Sequence, residues 1–148
     1  MLGVRALQRN AAMLAARAPM TRPLRQSRGY SAGSAPRGGQ IMEATEETFE
    51  KDVIDSPVPT VVDFYASWCG PCKMLGPIIE KAVQADGRVN LVKVDVDSNL
   101  SLSSDFKVTS LPTVMGFRDG QPVAAFIGMR PPAAVTQFVK DIAEGTEK

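Results

Sequence analysis

From about residue 40 onward the chain alternates short apolar runs with stretches of helical periodicity. Gln40–Ala44 is a short strand candidate, and Thr45 is placed to cap a helix through about Asp55, with Glu46 and Glu47 set against the positive end of its dipole. Ser56-Pro57-Val58-Pro59 stops that helix. Thr60-Val61-Val62-Asp63-Phe64-Tyr65-Ala66 is β-branched, aromatic and nearly all apolar, the pattern of a strand buried on both faces. One residue breaks it: Asp63. A helix is expected from about Pro71 to Asp86, kinked at Pro77. Val89–Val96 reads as a second buried strand and Asn99–Phe106 as a short helix weakened by serines. Thr113–Arg118 and Val123–Ile127 flank Asp119-Gly120, a hairpin signal. Gly116 inside the first of these strands suggests close packing by a neighbour. A last helix runs from Pro131 to about Glu144.

The order β-α-β-α-β-α-β-β-α predicts an α/β domain: a central mixed sheet of about five strands, four flanking helices, and an antiparallel hairpin at the end. The chain has 148 residues, enough to bury a hydrophobic core without disulfide staples.

Charge divides the chain in two. The net value is +1, yet the first 42 residues carry seven arginines and no acid, while all 16 acidic residues lie beyond them. Val4, Leu7, Ala11, Leu14 and Ala18 recur at helical spacing, with Arg5 and Arg9 on the opposite face. Such a leader reads as an organelle transit peptide, because arginines interrupt the apolar core that a secretory signal would need. A nucleic-acid-binding or merely disordered arm is the other reading, the former disfavoured by the lack of lysine and interleaved aromatics. Arg28-Gly29-Tyr30-Ser31 resembles a mitochondrial processing site. The expected organisation is therefore a mitochondrial transit peptide at 1–30, a flexible Gly/Ser/Pro linker at 31–39 and a folded domain at 40–148. A matrix location follows; a plastid one would call for more Ser and Thr. No stretch approaches the roughly 20 apolar residues of a membrane span.

Candidate chemistry centres on the only two cysteines, Cys69 and Cys72. Half of a zinc site is one reading of such a pair, but there is no further cysteine and no histidine to complete it. A structural staple is a second, weakened because so small a loop removes little unfolded-state entropy. A redox pair at a strand-to-helix junction is the third, and the context fits it. Cys69 at the helix mouth would have its thiolate stabilised by free N–H groups and the dipole. Gly70 permits close approach of a partner chain, and Pro71 starts the helix without wasting an amide. Asp63, a carboxylate among apolar neighbours, should have a raised pKa and suits proton exchange near neutral pH. Lys93 on the adjacent strand is expected to pair with it and moderate that shift.

The run Val62 to Lys73, with Trp68-Cys69-Gly70-Pro71-Cys72-Lys73 at its end, resembles the active-site segment of thioredoxins. Pro77, Lys93-Val94-Asp95-Val96-Asp97, Ser110-Leu111-Pro112-Thr113, Asp119-Gly120 and Gly128 extend the likeness from about Gln40 to Glu144. The Gly-Pro pair resembles the reducing members rather than disulfide isomerases or glutaredoxins. The resemblance implies a thioredoxin fold and a protein-disulfide reductase. In it, Cys69 is the nucleophile, and Cys72, more buried, resolves the mixed disulfide with Asp63 as proton acceptor and Lys93 as its partner. It further implies a docking surface of Trp68, Gly70, Pro71, Leu111, Pro112, Ile127 and Gly128, with Pro112 cis against the cysteines. No cofactor is implied in the chain itself, which has no Gly-x-Gly-x-x-Gly loop. The implied partners are an NADPH-dependent flavin thioredoxin reductase, peroxiredoxins and other disulfide-containing proteins, with the chain itself a monomer. Neither nucleic acid nor membrane is expected. The competing reading is a binding module or holdase scaffold on the same fold, with redox activity incidental.

Overall fold

A computed structural model describes residues 37–147. The expected transit peptide lies outside the described residues. Of the expected linker, Gly38 and Gly39 are engaged with the domain: the Gly39 N–H donates to the Val89 carbonyl at 2.6 Å, and a side chain at Gly38 would overlap the Arg88–Val89 backbone.

Five strands form one sheet: β1 (Ile41–Glu43), β2 (Thr60–Tyr65), β3 (Asn90–Asp95), β4 (Thr113–Arg118) and β5 (Gln121–Ile127). Their order is β1-β3-β2-β4-β5, with β1, β3 and β2 parallel and β4 and β5 antiparallel. Asp119 (φ 51°) and Gly120 (φ 75°) both take positive φ, the twist that a two-residue hairpin turn requires.

Side-chain alternation along the two central strands sorts the core. Val61 and Leu91 point to one face, where α1 (Gly70–Asp86) and α3 (Pro132–Glu144) supply Leu75, Ile79, Val83, Val135, Val139 and Ile142. Val62, Phe64, Val92 and Val94 point to the other. That face is covered by α2 (Leu100–Asp105) and by a π-helical turn, Glu50–Ile54. Phe49, Phe106 and Phe117 meet there with ring centroids 5.2–5.9 Å apart. Asp63 and Lys93 fall in the same alternation phase as Val61 and Leu91, and they are partners in the β2–β3 register. Both therefore face α1.

Three local expectations are revised. Thr45 does not cap a helix with its side chain; its own N–H donates to Thr48 Oγ1 at 3.0 Å, and a regular α-helix does not follow. Instead the Asp55 N–H reaches the Glu50 carbonyl, the longer span of a π turn. Glu46 serves a different helix from the one expected: its carboxylate accepts from the Ser101 N–H at the start of α2, while its own N–H donates to Asn99 Oδ1. β5 begins two residues early, at Gln121, because a register shift at Gly116/Phe117 lets Pro122 oppose Phe117. The close neighbour at Gly116 is Ile142 of α3, whose side chain occupies the space a Cβ would need.

Candidate active site

The site is built where β2 passes into α1. Cys69 is the N-cap of α1, and its Sγ accepts from the Cys72 N–H at 3.2 Å. Pro71 lies in the first turn, where a missing N–H costs nothing. One helical turn brings the two cysteines together, with Cα atoms 5.3 Å apart, and they form a disulfide. A helix N-terminus offers unpaired N–H groups and positive dipole charge to a sulfur anion, so Cys69 is placed for thiolate chemistry on reduction. Pro77 lies inside α1, which continues past it to Asp86.

The cysteines do not differ in exposure as expected. Cys69 is 4% exposed and Cys72 5%. They differ in which cavity each borders. Cys69 opens onto a groove of about 570 Å³ with Trp68, Gly70, Pro71, Leu111 and Leu100 in its walls. Cys72 borders a separate cavity of about 540 Å³, walled by Asp63, Tyr65, Pro77, Glu80 and Lys93. One cysteine borders a groove open to the surface, and the other shares a cavity with a buried carboxylate.

Along the groove, Trp68 is 69% exposed and its indole N–H donates to Asp97 Oδ2 at 2.8 Å, which fixes the ring as an apolar ledge. The Leu111-Pro112 peptide bond is cis, and the Pro112 carbonyl accepts from the Gly128 N–H at 2.9 Å. That bond ties the end of β5, with Ile127 58% exposed, to the loop bearing Leu111. The Leu111 N–H and C=O form no hydrogen bond among the described residues. Of the expected docking residues, Trp68, Gly70, Pro71 and Leu111 line the groove with Cys69, whereas Pro112, which is buried, Ile127 and Gly128 lie outside its walls. Leu100, 70% exposed, joins the groove from α2. Nothing in its local sequence distinguishes it from a core leucine.

Asp63 is 1% exposed, and its Oδ1 has no hydrogen-bond partner. Burial pushes its carboxyl up to about 6; the nearby Lys93 ammonium opposes this and Glu80 adds to it. The expected Asp63–Lys93 ion pair is absent among the described residues. Lys93 Nζ instead meets Glu80 Oε1 at 3.1 Å and lies 5.3 Å from the Tyr65 ring centroid. Sequence separation hid this competitor: Glu80 lies on α1, 13 residues before Lys93, and only helix-on-sheet packing brings it over the strand.

A buried cysteine pair at a helix mouth, bordering a surface groove on one side, is the site of a thiol–disulfide oxidoreductase. Residues 40–141 match the thioredoxin family model, and the chain belongs to that family. Thioredoxin 1 of a Nostoc species is 41% identical over 99 residues, covering 66% of this chain and 92% of its own. The thioredoxin of Staphylococcus saprophyticus is 42% identical over 101 residues, covering 68% and 95%. A bifunctional thioredoxin reductase/thioredoxin of Mycobacterium leprae is 38% identical over 109 residues, 73% of this chain but only 24% of that protein. Among solved structures, a mutant thioredoxin from Halobacterium salinarum superposes with a TM-score of 0.65 at 30% identity, covering 71% of this chain and 92% of that one. The chain is a protein-disulfide reductase of the thioredoxin type, working through Cys69 and Cys72.

Proposed function

We propose that this thioredoxin works in the mitochondrial matrix as a monomeric disulfide reductase, with Cys69 attacking and Cys72 resolving. The Cys69 thiolate attacks one sulfur of a substrate disulfide, forming a mixed disulfide and releasing the other substrate sulfur as a thiolate. Cys72 then gives its proton to Asp63 and attacks Cys69 Sγ. The Cys69–Cys72 disulfide forms as the second substrate thiol leaves, so two electrons pass to the substrate. The observation that carries this order is the division between two cavities: Cys69 borders the docking groove, Cys72 the Asp63 cavity. In the groove, the free Leu111 N–H and C=O are suited to pair with an extended substrate backbone. Trp68, Gly70, Pro71 and Leu111 supply the apolar wall, with Pro112, Ile127 and Gly128 beside it.

Regeneration is assigned to an NADPH-dependent flavin thioredoxin reductase. The Mycobacterium leprae relative, whose name joins reductase and thioredoxin in one chain, supports that pairing. Peroxiredoxins and other oxidised matrix proteins are the proposed clients. The matrix assignment rests on the acid-free, arginine-rich first 42 residues.

The test is insulin reduction by dithiothreitol with wild type, Cys69→Ser and Cys72→Ser. Wild type should accelerate precipitation and both variants should not. No acceleration by wild type would favour a redox-incidental binding module. Cell fractionation with N-terminal sequencing of the mature protein tests the location; a matrix form beginning near Ser31 is expected.

A further inference from the structure

Lys93 stands directly opposite Asp63 in the parallel β2–β3 register, on the same face of the sheet. It is the natural counter-ion for that buried carboxylate, yet its ammonium is held by Glu80 at 3.1 Å and Asp63 Oδ1 is left without a partner. The groups around the cavity are Asp63 and Tyr65 on β2, Lys93 on β3, and Cys72, Lys73 and Glu80 on α1. From β1, Glu43 stands opposite Lys93 in register and accepts from the Tyr65 hydroxyl at 3.3 Å; from β4, the residue opposite Asp63 is Val114, which carries no charge. Of these acids, Glu80 is the one that forms an ion pair with Lys93 among the described residues, and so the one that competes with Asp63 for it.

We propose that Glu80 is a positioning residue: by anchoring Lys93 at the cavity mouth, it keeps Asp63 unpaired and available to receive the proton of Cys72. The inference rests on the assignment of Asp63 as proton acceptor. Glu80 acts in two ways with the same sign. Its negative charge opposes ionisation of Asp63, in agreement with its part in raising that group, and its hold on Lys93 denies Asp63 a direct ion pair. With Glu80 neutralised, both effects vanish, and Lys93 is free to turn toward the carboxylate across the strand pair. Asp63 would then ionise at lower pH and become a weaker base. Resolution would persist further into acid but run more slowly at its plateau.

The experiment uses the reduced full chain mixed rapidly with an excess of a chromogenic aromatic disulfide. The first release of aryl thiolate reports attack by Cys69, and the second reports attack by Cys72. Wild type, Glu80→Gln, Glu80→Asp, Asp63→Asn and the Asp63→Asn/Glu80→Gln double variant are compared across pH 4.5 to 8.5, roughly the range spanning a carboxyl titration near neutrality. Glu80→Gln should move the acid midpoint of the second phase down by about half a unit or more and lower its plateau several-fold. Glu80→Asp, which keeps an anion for Lys93, should lie between Gln and wild type. In the Asp63→Asn background the Gln substitution should have no effect. Glu80 is half-buried, so the Gln variant is expected to fold. An unmoved or upward-shifted midpoint, while Asp63→Asn still removes the acid limb, overturns the role of Glu80 and leaves Asp63 standing. So does an equal shift with and without Asp63. Should Asp63→Asn keep the wild-type limb, the proton-acceptor assignment falls, and this inference with it.

Discussion

Replacing Asp63 by Asn should stabilise the oxidised protein at neutral pH, and the gain should disappear in acid. Asp63 is 1% exposed and titrates near 6, against 3.8 ordinarily, chiefly because burial penalises the carboxylate. A carboxyl that titrates higher in the folded than in the unfolded chain binds its proton more tightly in the native state. Its contribution to stability is therefore complete below about pH 4 and is lost as pH rises through about 6. A difference of roughly two pH units, at about 1.4 kcal/mol each, makes that loss about 3 kcal/mol by pH 7.5. Asn never ionises, so the variant does not suffer it. The uncharged amide still needs partners in a place where Oδ1 has none, at a pH-independent cost of about 1 kcal/mol. Asp63→Asn should consequently be equal to or slightly less stable than wild type near pH 4 and about 2 kcal/mol more stable at pH 7.5. Urea unfolding of the oxidised full chains at successive pH values measures this, and the disulfide keeps the cysteines out of the titration. A stability difference that stays constant within about 1 kcal/mol from pH 4 to 7.5 would refute the desolvation argument. So would one that moves in wild type's favour as pH rises. A functional site that costs stability at working pH is the expected signature of a proton acceptor kept charged in an apolar place.

Other expectations follow from single contacts. Gly116→Ala should destabilise by about 1–3 kcal/mol, because the new methyl overlaps Ile142; a Tm equal to wild type would show that α3 shifts freely. Phe117→Ala, which removes the ring meeting both Phe49 and Phe106, should cost about 3–5 kcal/mol in urea unfolding. Cys72→Ser should accumulate mixed disulfides through Cys69, seen as adducts on non-reducing gels that dithiothreitol dissolves; trapping by Cys69→Ser instead would reverse the order of attack. Trp68→Ala should raise KM for insulin several-fold while leaving stability within about 0.5 kcal/mol, since the ring is 69% exposed. A large Tm loss would make Trp68 a structural residue.

Much of the fold was legible because its signals are local. Runs of apolar residues such as Thr60–Tyr65 and Asn90–Asp95 mark strands buried on both faces, and Asp119-Gly120 carries its own turn geometry. The first helix was less legible. Thr45 followed by acidic residues is a good cap signal, but the Glu46 carboxylate accepts from the Ser101 N–H, 55 residues away, at the start of a different helix. A side chain's choice between a local and a distant partner cannot be read from its neighbours. The same holds for Leu100, whose 70% exposure beside the groove depends on where the short α2 lands.

The reactive pair, its place at a helix mouth, the strand that buries Asp63 and the likeness to thioredoxins were all legible from residue order alone. Each depends on residue type at short spacing, where helix and strand periods set geometry directly. How the charges pair, and which cavity each cysteine borders, came instead from how the elements pack. Lys93 has three carboxylates within the fold's reach, Asp63 and Glu43 across the strands on either side and Glu80 on the helix above. Which of them it meets is settled by the packing of α1 on the sheet, and Glu80 wins. The two cysteines are equally buried, so the difference between them lies in the cavities they border: one forms where α1 meets α2 and the loop carrying Leu111, the other where α1 packs on β2 and β3.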